Sequence, residues 1–280
     1  MRTVNNPVMG SELVVDVMAE RIREKLLTRP TNVKFHSQKD YGLQVSYHVA
    51  WLGVEKARGE LFDDHSTLFD QLRWYSNAVM EYNPRSYVNL EFDASNKRRF
   101  NRLFISFKAC IARFNYCCLL LFLDGTFLKE RFKGNLLTAT AKDGNKGLFP
   151  MAFVIVDSEN ASNWKWFLQN LANIVDGSRS LTFVLDRHVG LLESIPVIFP
   201  TSHHAFCMQH LQRNLKDKMK YVNHPYRLGL VSKLRQCAYA STVADFNQKL
   251  EEFTHSGRHF AINFLKDLDP RHWVNAYFRY

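Results

Sequence analysis

The chain has 280 residues, of which 46% are hydrophobic and 23% charged, and these proportions exclude a mainly disordered protein. Its longest wholly apolar run, residues 117–123, is far shorter than the roughly 20 residues that a membrane-spanning helix needs, and the first residues lack the apolar core of a secretion signal. We therefore expect no membrane partner, and the net charge of +10 favours a polyanionic one.

The chain contains five cysteines: Cys110, Cys117, Cys118, Cys207 and Cys237. Their odd number and irregular spacing do not form a disulfide framework. This predicts a reducing compartment, the cytosol or the nucleus.

Residues 1–114 are predicted to form an N-terminal helical region. Apolar spacing predicts helices over residues 12–22, 31–39 and 47–59, with Gly42 in a turn and Ser46 as an N-cap. A helix, a glycine-containing turn and a second helix are typical of a helix-turn-helix, whose second helix enters the DNA major groove. The alternative is a small helical bundle that packs on the rest of the protein.

A short extended stretch, residues 87–92, and a basic run follow within this region. The run contains Lys97, Arg98 and Arg99, which we consider candidate DNA-phosphate contacts. A solvated surface is the alternative interpretation.

Residues 115–220 are predicted to form a mixed α/β core. Strands are expected at 117–123, 136–141, 149–156, 181–185 and 204–206, and helices at 163–175, 190–195 and 208–219. Three strands joined by tight turns predict an antiparallel meander, and the later alternation with helices predicts parallel crossovers. This order is that of an RNase H-like fold. Residues 221–280 are predicted to be helical, at 231–239, 242–253 and 259–268.

Asp124 and Asp186 each follow an apolar strand, so both carboxylates are expected at one edge of the sheet. Magnesium often binds one or two protein carboxylates together with phosphates, and paired metals assist phosphodiester chemistry. The pair therefore suits metal-dependent cleavage or strand transfer of nucleic acid. In the alternative interpretation, each aspartate only caps a turn.

Cys207 and His210 lie three residues apart at the start of a predicted helix. They could share a zinc ion, but a zinc site needs about four ligands, and His203 and His204 are the obvious helpers nearby. Packing of the helix start is the alternative. Further along, Arg213, Lys216 and Lys220 share one helix face and are candidate phosphate contacts or a solvated surface.

Several short motifs occur in a fixed order between Leu123 and Asn214. They are Leu123-Asp124-Gly125-Thr126-Phe127, Lys133-Gly134-Asn135, Pro150-Met151-Ala152-Phe153, Ser158-Glu159-Asn160, Trp164-Lys165-Trp166-Phe167-Leu168, Asp186-Arg187-His188-Val189-Gly190-Leu191 and Cys207-Met208-Gln209-His210-Leu211. Together they resemble the transposase domain of plant Mutator-like elements. Tyr41-Gly42, Ala50-Trp51 and Asn83-Pro84 resemble the segment that precedes that domain.

The resemblance implies an RNase H-like core that cuts and rejoins DNA at transposon ends, with Mg²⁺ or Mn²⁺ at an Asp-Asp-Glu site. Asp124 would be the first acidic ligand and Asp186 the second, while Cys207 and His210 match the family's Cys-x-x-His signature. It also implies a nuclear protein that works as a homo-oligomer, with the helices after Lys220 as an insertion before the third acidic residue.

The sequence departs from the family at that third residue. The family glutamate lies in a Ser-Asn-x-x-Glu-Ser-like segment downstream of a tryptophan resembling Trp273, and no such segment occurs before Tyr280. Glu251 and Glu252 lie in the wrong context. We therefore expect a truncated or decayed transposase with impaired strand transfer. The alternatives are a domesticated, non-catalytic DNA-binding or transcription-regulatory protein, and a remnant with no present role.

Overall fold

The computed structural model describes residues 16, 21, 28–61, 65–93, 100–129, 134–175 and 179–278. Most of the helix expected at 12–22, and all of the Lys97, Arg98 and Arg99 run, lie outside the described residues. Contacts divide the chain into two compact units, Met1–Tyr75 and Ser76–Tyr280.

The first unit contains helices α1 (Pro30–Tyr41) and α2 (Tyr47–Leu61), and α3 (His65–Tyr82) begins within it. Helix α1 starts at a proline, whose fixed φ suits a first turn, and ends at Gly42 in the left-handed conformation (φ 67°). The Ser46 hydroxyl accepts a hydrogen bond from the backbone N–H of Val49 at 3.2 Å, which confirms the predicted cap. The predicted pair of helices around a glycine turn is therefore present.

The second unit is built on a seven-stranded mixed sheet with the order β1-β2-β5-β4-β3-β6-β7. Its strands are β1 (Tyr87–Phe92), β2 (Phe100–Ser106), β3 (Leu120–Phe127), β4 (Asn135–Lys142), β5 (Leu148–Val156), β6 (Thr182–Leu185) and β7 (His203–Phe206). Strand β6 pairs in parallel with β3 and β7, and the other pairs are antiparallel. The predicted meander and parallel crossovers are confirmed.

The remaining described helices follow in chain order. They are α4 (Lys108–Phe114), α5 (Ala161–Ala172), α6 (Val189–Ile198), α7 (Met208–Lys218), α8 (His224–Ala238) and α9 (Val243–Leu265), with 3₁₀ turns at Pro270–His272 and Asn275–Tyr277. Two separate helices were expected at 242–253 and 259–268. The structure confirms the break between them, because α9 consists of two helical segments joined across a kink at Arg258.

The extended stretch predicted at residues 87–92 is confirmed as β1, whereas the prediction of a helical region up to residue 114 was wrong for residues 100–106. Strands β1 and β2 belong to the same sheet as the predicted core, and β2 pairs with β5. Leu103, Phe104 and Ile105 are consecutive and at most 2% exposed. A short continuous apolar run of this kind does not show by its periodicity whether it forms a strand or part of a buried helix.

Two hydrophobic clusters fill the second unit. One lies between the sheet and helices α5 and α6, and includes Phe104, Leu121 and Trp164. The other lies among α7, α8 and α9 and includes Leu215 and Phe253. Since Trp164 is 1% and Trp166 is 7% exposed, both tryptophans are core residues.

Trp166 also joins the outer strands to helix α5. Its indole Nε1 donates to Glu91 Oε1 on β1 at 2.6 Å, and the same carboxylate accepts from Arg102 Nε on β2 at 2.7 Å. The Arg102 guanidinium lies 4.7 Å from the centre of the Trp166 ring. This partly buried network holds β1 and β2 against the helix that covers the sheet.

Candidate active site

The register between β3 and β6 relates the positions of the two candidate aspartates. Leu120 pairs with Thr182 and Phe122 with Val184, so each β6 residue lies 62 positions after its β3 partner. Asp124 and Asp186 have the same separation. Asp124 lies two residues beyond Phe122 and Asp186 two residues beyond Val184, the last paired residues, so both aspartates follow the same end of the β3–β6 ladder.

The alternation of β3 directs Asp124 away from the core. Leu121 and Leu123 are buried on one face, whereas the Asp124 side chain on the other is 63% exposed. Strand β3 continues to Phe127 and pairs Asp124 with Thr138 of β4. The expectation that the strand ends before Asp124 was therefore wrong, although Asp124 does lie beyond the last paired residue of the shorter β6.

Each aspartate side chain also accepts a hydrogen bond from the backbone N–H of the next residue. Asp124 Oδ1 accepts from the N–H of Gly125 at 3.0 Å, and Asp186 Oδ1 accepts from the N–H of Arg187 at 2.7 Å. These bonds hold the carboxylates in place, and they are also what a capping role would produce. Their equal offset from the last paired residues of β3 and β6 is the additional feature that capping does not require.

Helix α7 brings a third side chain to this edge of the sheet. Leu185 pairs with Phe206, so Cys207 follows directly beside Asp186, and its N–H donates to Leu185 O at 2.8 Å. Cys207 is the N-cap of α7, which places His210 in the first turn. His210 Nε2 lies 3.5 Å from Asp124 Oδ1, and its side chain is 15% exposed. The sequence motif was noticed, but Asp124 was not predicted as its partner.

The His210 ring makes this contact from a confined position. Its other nitrogen, Nδ1, is buried and has no hydrogen-bond partner among the described residues. The contact with Asp124 is therefore the polar interaction that fixes the imidazole at the sheet edge.

Oxygen-binding metals suit this arrangement better than zinc does. Mg²⁺ is commonly held by one or two carboxylates plus substrate phosphates, and Asp124 and Asp186 supply that donor set. Zinc needs about four ligands, of which Cys207 and His210 would be two. The described residues contain no group of three or more His, Cys, Asp or Glu side chains able to hold a metal. The Cys-x-x-His pair thus lacks the remaining zinc ligands in this part of the chain.

The carboxylate of Glu159 lies near β3 in space, but on the side of the strand opposite to Asp124. A Cβ atom at Gly125 would lie 2.8 Å from the Glu159 carboxyl group, which also accepts a hydrogen bond from Trp164 Nε1 at 3.1 Å. Successive residues of a strand face opposite sides of the sheet, so Glu159 lies against the face opposite to Asp124. Glu159 therefore does not share a face of the sheet with Asp124.

The predicted basic face is present in part. Helix α7 buries Leu211 and Leu215 and leaves Arg213 exposed, with Lys216 half-buried. The helix ends at Lys218, so Lys220 lies beyond it, where its Nζ is 4.8 Å from the Tyr221 ring centre. Arg213 and Lys216 share a helix face, and Lys220 extends the positive charge past the helix end.

Comparison with known families addresses this region directly. Residues 120–214, about a third of the chain, match the family model of the MULE transposase domain. The chain carries a MULE transposase domain. The match starts at β3 and ends within α7, so it includes both aspartates and the Cys207–His210 pair. No curated protein matches the chain.

The MULE transposase domain supports a transposase-related function, and a DNA partner is consistent with it. In the described part of the chain, no helix is both long and apolar enough to cross a bilayer.

Proposed function

We propose that the MULE transposase domain of this chain has an RNase H-like core and descends from an enzyme that cleaves and joins DNA strands. The observation that supports this best is the β3–β6 register, because Asp124 and Asp186 follow its last paired residues at equal offsets. One or two carboxylates together with substrate phosphates commonly hold the Mg²⁺ that assists phosphodiester chemistry. We propose the nucleus as its location, because its substrate would be DNA.

The residues at the sheet edge would have three different roles. Asp124 and Asp186 would hold Mg²⁺ or Mn²⁺, which when bound activates the attacking oxygen and stabilises the leaving one. His210 contacts Asp124 and fixes the orientation of that carboxylate. Arg213, Lys216 and Lys220 supply positive charge toward the DNA phosphates, which dominate the affinity of such complexes.

Catalysis by this chain is proposed to be impaired. The described residues supply two carboxylates at the edge and no third ligand, since Glu159 faces the other side and Glu252 is 3.5 Å from Lys233 on α8. The same observation favours a second candidate function, a DNA-binding regulatory protein that has kept the transposase fold without the cutting activity.

Metal binding and DNA chemistry test the proposal separately. Calorimetric titration of the purified chain with Mn²⁺ is expected to show binding that Asp124→Asn and Asp186→Asn each abolish. Glu193→Gln, which removes an exposed carboxylate on α6, is the matched control and should leave binding unchanged. Equal Mn²⁺ binding by all variants would contradict the acidic pair as a metal site.

The two candidate functions differ in a nicking assay on supercoiled plasmid DNA with Mg²⁺ or Mn²⁺. Binding to DNA without nicking supports the regulatory protein. Nicking that Asp124→Asn removes would show that two carboxylates suffice, and would overturn the proposed impairment. A chain that binds neither DNA nor metal would contradict both candidates.

A further inference from the structure

A surface cleft among the C-terminal helices is separate from the aspartate edge. It has a volume of about 620 Å³ and is formed by the start of α8 and the interruption of α9. Arg258, His255 and His259 line it together with Tyr226 and Asn223, and no aspartate or glutamate is among the described residues that do so. Its polar lining is therefore rich in hydrogen-bond donors and free of fixed negative charge.

The cleft walls are held by specific contacts. The Tyr226 hydroxyl of α8 donates to the carbonyl of Ser256 at 2.7 Å, just before the interruption in α9. At Gly257, a Cβ atom would lie 2.8 Å from Leu230 Cδ1, so the absence of a side chain lets the two helices pack closely. The opening beside Arg258 is thus a fixed feature of the α8–α9 packing.

Arg258 adopts a backbone conformation that disfavours its side chain. Its φ of 45° and ψ of −130° lie outside the regions that L residues readily occupy, and glycine would adopt them with less strain. Strained residues of this kind concentrate at functional sites, where the side chain has a purpose that outweighs the strain. Here the strained residue places the one arginine of the cleft lining.

We propose that this cleft binds the phosphate backbone of DNA. The guanidinium group matches phosphate geometry, and imidazole N–H groups and the tyrosine ring add donors and a flat surface. A further positive charge lies close along the chain, because Lys220 and the 91% exposed Tyr221 immediately precede the cleft residues Val222 and Asn223. The inference rests on the proposed function, since it takes DNA to be the partner.

Salt-dependent DNA binding of the full chain tests this site. The probe is a fluorescent DNA duplex of random sequence, and anisotropy gives the dissociation constant over a series of salt concentrations. Loss of one phosphate contact lowers the slope of log affinity against log salt by about 0.9. We expect that loss, with weaker binding, for Arg258→Gly and Arg258→Ala, while Arg258→Lys keeps most of the slope.

Two further measurements separate binding from folding and from net charge. Arg258→Gly relieves the backbone strain, so its melting temperature should rise even as its DNA affinity falls. Arg235→Ala removes an equal charge from an exposed position on α8 outside the cleft lining and serves as the matched control.

The outcomes distinguish this inference from the proposed function. An unchanged slope for Arg258→Gly, or an equal loss for Arg235→Ala, would overturn the cleft as a phosphate site while DNA binding by the rest of the chain stands. Failure of the unaltered chain to bind the duplex would overturn the proposed function and this inference together.

Discussion

The sheet edge and the α8–α9 cleft position their polar residues by different physical means. At the sheet edge, Asp124 and Asp186 follow the last paired residues of two parallel strands, an arrangement that needs no unusual conformation. In the cleft, Arg258 is placed by a strained interruption of a helix. A regular ladder makes geometry foreseeable from sequence spacing, whereas an interruption depends on how neighbouring helices pack.

The largest expected effects come from the two cores that support these regions. Phe104 in the sheet cluster and Phe253 in the helical cluster are both 0% exposed. Phe104→Ala and Phe253→Ala should each lower the free energy of unfolding by about 3–5 kcal/mol, because each leaves a large cavity. Urea unfolding followed by circular dichroism measures this.

The pair of variants also tests whether the two regions unfold together. Phe206 packs against both clusters and so connects them. We therefore expect each variant to shift one shared transition. Two transitions, with each variant shifting only its own, would show that the sheet and the helical cluster are independent and would sharpen the contrast between them.

The strands that lead to the sheet edge could be predicted from the sequence because their determinants are local. Apolar runs mark β3 and β6, and their fixed offset carries over to Asp124 and Asp186. The contact of His210 with Asp124 could not be predicted, because it depends on where α7 starts relative to β3 across the sheet. Strand β2 was missed since its three consecutive buried residues have no distinctive period.

For the cleft between α8 and α9, the sequence predicted the helices but not the cleft itself. Separate patterns predicted two helices around residue 258, and the interruption does fall between them. The cleft itself could not be predicted from the residue types, because it depends on the close approach of α8 and α9 that Gly257 allows.

Two glycines in helices give the next largest effect, with opposite signs. At Gly190 in α6, a Cβ atom would lie 2.5 Å from the Ala161 Cα, so Gly190→Ala should destabilise the protein by about 1–3 kcal/mol. At Gly229 in α8, a Cβ atom would meet nothing within 4 Å. Gly229→Ala should therefore stabilise by about 0.5–1 kcal/mol through helix propensity.

Thermal denaturation of both glycine variants provides the measurement. A gain at position 229 together with a loss at position 190 supports tight α5–α6 packing beside the aspartate edge and an open surface on α8. Equal melting temperatures for Gly190→Ala and Gly229→Ala would show that the approach of α6 to α5 is not tight.

The smallest expected effect is a pH dependence of stability at the contact between β7 and the 3₁₀ turn Pro270–His272. The His204 ring of β7 stacks on the His272 ring of this turn, with ring centres 4.1 Å apart. Burial, followed by the nearby His272 and His203 imidazoles, lowers the pKa of His204 from its ordinary 6.5. The folded protein therefore binds this proton less tightly than the unfolded chain does.

The sign of the effect follows from that difference in proton affinity. The stabilising contribution of neutral His204 is complete above pH 6.5 and is lost as the pH falls through the lowered pKa. Melting temperatures measured above and below pH 6.5 should diverge less in His204→Phe, which keeps a flat ring against His272 but cannot be protonated. His224→Gln removes an exposed histidine at the start of α8 and should retain the full dependence. If the melting temperature of His204→Phe falls in acid as much as that of the unaltered chain, protonation of His204 is not the cause of the pH dependence.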